Sequence, residues 1–100
     1  MTMYKKINPT ISFIEFIKLV GPVAFFNSLE GAEYVVQNLK EHTMHFIRKS
    51  SGEKWSMDLK EVYRAYIELT DFRTENFRPY VPLTHSPALG LLLYLDLLKK

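Results

Sequence analysis

Apolar residues fall along this chain in two rhythms, and the clearest change of rhythm lies between Thr43 and Thr70. From residue 43 to 49 the order Thr-Met-His-Phe-Ile-Arg-Lys places Met44 and Phe46 on one side of an extended strand and His45 and Lys49 on the other. Trp55, Met57 and Leu59 share one side of a returning strand, and Ser-Ser-Gly at 50–52 joins the two into a β-hairpin. With Ser51-Gly52 as a two-residue loop, Arg48 faces Trp55, Phe46 faces Met57 and His45 faces Asp58. A three-residue loop closed by a left-handed glycine pairs Ile47 with Trp55 instead. The first register is preferred because it gathers more apolar side chains together.

At Asp58 the period lengthens. Asp58 and Glu61 have the spacing of a capping box, and Leu59, Val62, Tyr63, Tyr66, Ile67 and Thr70 follow at steps of three and four. Lys60, Glu61, Arg64 and Glu68 take the opposite side, so the pattern predicts an amphipathic helix lying on a sheet.

The same reading extends outward. Residues 1–9 read as a loose arm ended by Asn8-Pro9. Ser12 and Glu15 make a second capping box ahead of the stripe Phe13, Phe16, Ile17 and Val20, which Gly21-Pro22 closes. Pro22 can open a further helical piece over Val23 to Leu29, with Phe25 or Phe26 pressed inward. Ala32 to Leu39 reads as a strand that makes the hairpin a three-stranded antiparallel meander, entered through a turn at Asn38 to His42. Asp71 to His85, with Pro79 and Pro82, reads as a long Pro-aromatic connection tacked onto the core. Ser86-Pro87 then starts a C-terminal helix that is apolar nearly all round. The class expected is α+β: one or two N-terminal helices, the meander, an amphipathic helix packed on it and a buried C-terminal helix, within a single domain over residues 1–100.

Composition agrees with a folded core. Apolar residues make up 47% of the 100 residues and aromatics 14%, too many for a disordered chain. Cysteine is absent, which excludes disulfides, thiol nucleophiles and thiolate zinc sites and fits a cytoplasmic protein. No apolar run reaches the ~18 residues of a membrane span, and no signal peptide precedes Asn8-Pro9. The net charge of +2 favours neither nucleic acid nor an acidic membrane in bulk.

Candidate chemistry is sparse. His42 and His45 lack the spacing of a metal-binding helix pair, and His85 belongs to a helix entry. His45 across from Asp58 has the makings of an oriented base, yet no nucleophile motif accompanies it. Asp96 is a lone carboxylate in a leucine-rich run, expected to mark the side that reaches solvent or meets Lys99 or Lys100. Gly21, Gly31, Gly52 and Gly90 form no phosphate-cradling pattern. No catalytic residue, metal site or cofactor is therefore expected.

Two binding surfaces remain. A helix with no polar face must be covered on several sides, by its own domain or by a second chain, which nominates Leu92, Tyr94 and Leu95 for a partner interface and a homodimer. Arg48, Lys49, Lys54 and Trp55 cluster at the hairpin tip, where a two-stranded ribbon can enter a nucleic-acid groove. A second basic and aromatic group, Arg73, Phe77, Arg78 and Tyr80, is a surface for stacking on a base or holding an acidic partner or, the preferred reading, part of the core tack. The function expected is a small non-enzymatic binding or regulatory module acting by protein association, with nucleic-acid binding through the tip as the alternative.

Overall fold

The computed structural model describes residues 4–100. Its elements in order are β1 (Lys5–Lys6), α1 (Phe13–Val20), β2 (Phe25–Asn27), β3 (Glu33–Lys40), β4 (Thr43–Arg48), β5 (Lys54–Asp58), α2 (Leu59–Glu68), a 3-10 turn (Thr74–Phe77), α3 (His85–Tyr94) and β6 (Leu98–Lys99). Strands β2 to β5 form one four-stranded antiparallel sheet in chain order, and β1 and β6 form a separate two-stranded one. The class is α+β. The expected three-stranded meander has a fourth strand, because residues 25–27 are extended rather than helical.

The doublet Phe25-Phe26 explains that difference. A strand sends neighbours to opposite faces, so Phe26 is fully buried while Phe25 stays in solvent. Phe26 joins a ring cluster with Tyr34 and Phe46, with centroids 5.3 and 5.5 Å away. Pairing with Val35 and Tyr34 satisfies the backbone that a helix would have bonded internally.

The hairpin keeps its expected faces but not its register. Phe46 stands opposite Trp55, Met44 opposite Met57 and His45 opposite Ser56, so neither register read from the sequence forms. The turn takes four residues, Lys49 to Gly52: the Arg48 N–H donates to the Glu53 carbonyl at 2.9 Å, and Gly52, at φ +71°, donates to the Arg48 carbonyl at 2.7 Å. A slip of two residues from the preferred register preserves the faces, so Met44, Phe46 and Met57 are buried together. In β3 a bulge between Val36 and Asn38 lets Val36 and Leu39, three apart, both pack on the core. The β3–β4 link is two residues, Glu41-His42, both with positive φ. His42 is held by an edge contact to Phe13 (5.0 Å) and by its carbonyl, which accepts the Leu59 N–H.

Helices α1 and α2 meet over the inner face through Phe13, Phe16 and Tyr63. The Ser12–Glu15 capping box forms at α1, whereas at α2 Asp58 accepts the Lys60 N–H and Glu61 turns to Arg64 instead. Helix α3 starts at His85, two residues ahead of the expected Pro87, which costs no hydrogen bond within the first turn. It ends at Tyr94 because Asp96 adopts φ +58°, with the Leu97 N–H bonded to the Leu92 carbonyl and the Asp96 N–H to that of Leu93. Asp96 is therefore a helix stop, exposed to solvent as expected of its carboxylate. Pro87 to Leu92 are all buried. Gly90 lies so close to β2 that a Cβ there would sit 2.1 Å from the Asn27 carbonyl oxygen.

The ends of the described chain are tied together. Lys5–Lys6, expected within a loose arm, pairs with Leu98–Lys99, and Tyr4 is buried; residues 1–3 of that arm lie outside the described residues. The Tyr66 hydroxyl, buried under both segments, donates to the Leu97 carbonyl at 2.8 Å and accepts the Asn8 N–H at 3.1 Å. Burial pushes its pKa above the usual phenol value.

Gly90→Ala is expected to lower the stability measured by urea denaturation by about 3 kcal/mol, because both groups in the clash are backbone or bound to it. Asp96→Gly is expected to raise it by about 0.5–1 kcal/mol, since glycine meets no Cβ penalty at positive φ.

Candidate interaction surfaces

The hairpin tip does not gather its four candidates onto one surface. Arg48 pairs with Tyr34 and Trp55 with Phe46, which puts both on the inner side of the sheet. There they wall a cavity of about 200 Å³ together with Tyr34, His85 and Pro87. The Trp55 Nε1–H is buried and has no hydrogen-bond partner among the described residues. Lys54 pairs with Ile47 on the outer side, and Lys49 is occupied by Glu33 at 3.4 Å. Arg48 and Trp55 thus lie on one side of the sheet, Lys49 and Lys54 on the other, and the four do not converge on one groove.

The second basic group is also spent locally. Phe77 is buried, Arg73 is paired with Asp71 (3.1 Å) and Glu75 (3.8 Å), and Tyr80 donates its hydroxyl to Glu68 at 2.9 Å beneath the Arg64 guanidinium. The Tyr80 hydroxyl, then Arg64, hold the Glu68 carboxyl below its usual range. Of this group, Arg78 is exposed and has no such contact among the described residues.

Of the residues nominated on the C-terminal helix, Leu92 is wholly buried in its own chain and Leu95 half-buried. Tyr94 is 47% exposed, and its ring meets that of Phe25, 59% exposed, at 6.3 Å. This pair opens onto a surface that the periodicity did not single out, the outer face of the sheet. Among the described residues no helix covers that face: α2, with α1 packed on it, lies on the other side, where Met44, Phe46 and Met57 are buried. Cross-strand pairing lines up Phe25, Val35 and Ile47 in one row across three strands, ending at Lys54 on the fourth. Val35 is 37% exposed and, with Ala24, Phe25, Glu33 and Lys49, lines a groove of about 430 Å³. The signal was present in the alternation of Tyr34, Val35 and Val36, where an apolar residue occupies the position between two inward ones.

No acid–base constellation assembles around the histidines. His45 faces Ser56 rather than Asp58, and the Asp58 carboxylate is engaged at the start of α2. His85 hydrogen-bonds through Nδ1 to the Pro82 carbonyl at 3.0 Å, which orients the ring against its own loop. Among the described residues no group of three or more His, Asp or Glu side chains could hold a metal ion, and no helix is long and apolar enough to cross a membrane.

The Glu68 contact gives a measurable pH signature. A carboxyl with a depressed pKa contributes stability above its unfolded pKa and loses it as pH falls through the folded value. Tyr80→Phe is expected to move the Glu68 titration, followed by carboxyl NMR, back toward the ordinary glutamate value while the protein stays folded. Comparison with protein-family models, with curated proteins and with solved structures gives no match for this chain.

Proposed function

We propose that this protein is a small non-enzymatic module that acts by protein association, and that it associates with a second copy of itself through the outer face of its sheet. The observation that carries this reading is the joined apolar surface of Phe25, Val35 and Tyr94 left in water beside half-buried Ile47. Scattered exposed apolar residues are ordinary on a monomer, but aromatics set side by side on an uncovered sheet face are a contact surface. A second copy fits because the same patch carries both signs of charge in Glu33 and Lys49, so two faces stacked about a two-fold axis need not oppose like charges. Of the contact expected at Leu92, Tyr94 and Leu95, this reading keeps Tyr94.

Light scattering on the full chain is expected to give a mean mass that rises with concentration in the micromolar range. Phe25→Asp and Tyr94→Asp, both at exposed positions, are expected to shift that curve by about tenfold or more in concentration without changing the circular dichroism. A mass that stays at one chain up to about 1 mM, or a curve that Phe25→Asp leaves unmoved, overturns the reading.

A further inference from the structure

The two edges of the four-stranded sheet are finished differently. On the β2 side, α3 presses its backbone at Gly90 against the Asn27 carbonyl and covers the edge. On the β5 side the ladder simply stops. Which backbone groups it leaves open follows from the hydrogen bonds to β4. Arg48 donates to Glu53 and Leu59 donates to His42, each at 2.9 Å, so alternate pairs between them, Phe46 with Trp55 and Met44 with Met57, are the bonded ones. The intervening residues Lys54, Ser56 and Asp58 therefore direct their N–H groups away from β4, and Lys54 and Ser56 their carbonyls as well. All three are exposed.

This edge is complementary to itself. Set antiparallel to a second β5 about a two-fold axis at Ser56, it exchanges N–H and carbonyl between the two Ser56 residues, and each Asp58 N–H meets the other chain's Lys54 carbonyl. In the same register each Lys54 ammonium stands opposite an Asp58 carboxylate. Neither charge is otherwise satisfied in full: Lys54 has no partner among the described residues, and Asp58 spends one oxygen, Oδ1, on the Lys60 N–H. Sliding the strands by two residues sets Lys54 against serine and leaves Asp58 unanswered. A single lysine on an edge strand repels a neighbouring sheet, but a lysine and an aspartate placed symmetrically about Ser56 select one partner.

We propose that β5 pairs with β5 of a second copy of this chain, joining two four-stranded sheets into one continuous sheet. The exposed charges set the register, and the backbone groups hold it. The inference rests on self-association for its partner and not on the contact through Phe25. Edge pairing and face stacking are compatible, since an axis normal to the sheet and an axis within its plane close as a four-chain assembly.

The test is backbone amide hydrogen exchange on the full chain at low and high concentration, with Ser56→Pro as the variant. Proline at Ser56 removes an N–H that makes no bond to β4, a place where an edge strand accepts it. Wild type is expected to gain protection at Ser56 and Asp58 as concentration rises, and Phe25→Asp to retain that gain. Ser56→Pro is expected to weaken association by about tenfold or more, and Lys54→Glu, which keeps the strand whatever proline does to it, to weaken it most at low salt. Association without added protection at these two amides overturns the edge contact and leaves the face contact standing. Protection that persists in Phe25→Asp, with the mass curve unmoved by that substitution, overturns the face contact and leaves the edge. A single-chain mass at every concentration overturns both.

Discussion

Much of this molecule depends on one close approach between backbones, that of α3 and β2 at Gly90 and Asn27. A residue with any side chain at position 90 would hold the helix off the strand, and the consequences reach in both directions along the chain. The short strand Phe25–Asn27 has its outer edge covered and so needs no charges of its own to guard it. The helix, sunk against it, buries six residues in succession from Pro87 to Leu92. At the end of the helix Tyr94 is exposed, and its ring lands beside Phe25. The apolar surface outside and the packed helix inside are products of the same contact.

Local signals of the fold were legible where one short-range effect dominates. Ser12-Glu15 marks α1 because both halves of the reciprocal cap lie within one turn, and the run Leu59 to Ile67 marks α2 because its stripe has a single period. The faces of the hairpin followed from alternation alone. Its register did not, because a loop of two, three or four residues is a matter of which carbonyl Gly52 reaches, and alternation is unchanged by a slip of two. Phe25-Phe26 differs from the helical expectation for a related reason: a proline immediately ahead of an apolar run opens a helix as well as it opens a strand, and pairing with Val35 and Tyr34 across the sheet decides between them. Asp96 was recognised as out of place among leucines, but its backbone role as a left-handed stop depends on where the helix ends, which α3's packing decides.

The interaction surfaces were less legible than the elements. Arg48, Lys49, Lys54 and Trp55 are close in the chain, but adjacent positions on a strand point to opposite faces and a four-residue turn adds its own twist, so nearness in sequence became separation in space. Conversely Phe25, Val35 and Tyr94 are scattered along the chain and meet only after β2 is paired with β3 and α3 is packed against the β2 edge. An all-apolar helix says that it must be covered but not by what. Here Leu92 is covered from within, by the sheet and the Pro-aromatic connection, whose Phe72, Phe77 and Val81 are buried with it.

The pairing of Lys5–Lys6 with Leu98–Lys99 has a kinetic consequence. Strands β2 to β5 follow one another in sequence and can zip from neighbour to neighbour, each step closing a short loop. The small sheet closes a loop nearly as long as the chain itself, and its reward is two residue pairs with the Tyr66 hydroxyl beneath them. Loop-closure entropy places that clasp last in folding and makes it the first unit to open from the native state. When it opens, Tyr66 loses its acceptor at Leu97 and its donor at Asn8 together, so the clasp and the end of α2 behave as one cooperative unit, while the meander beneath them keeps its own ladder.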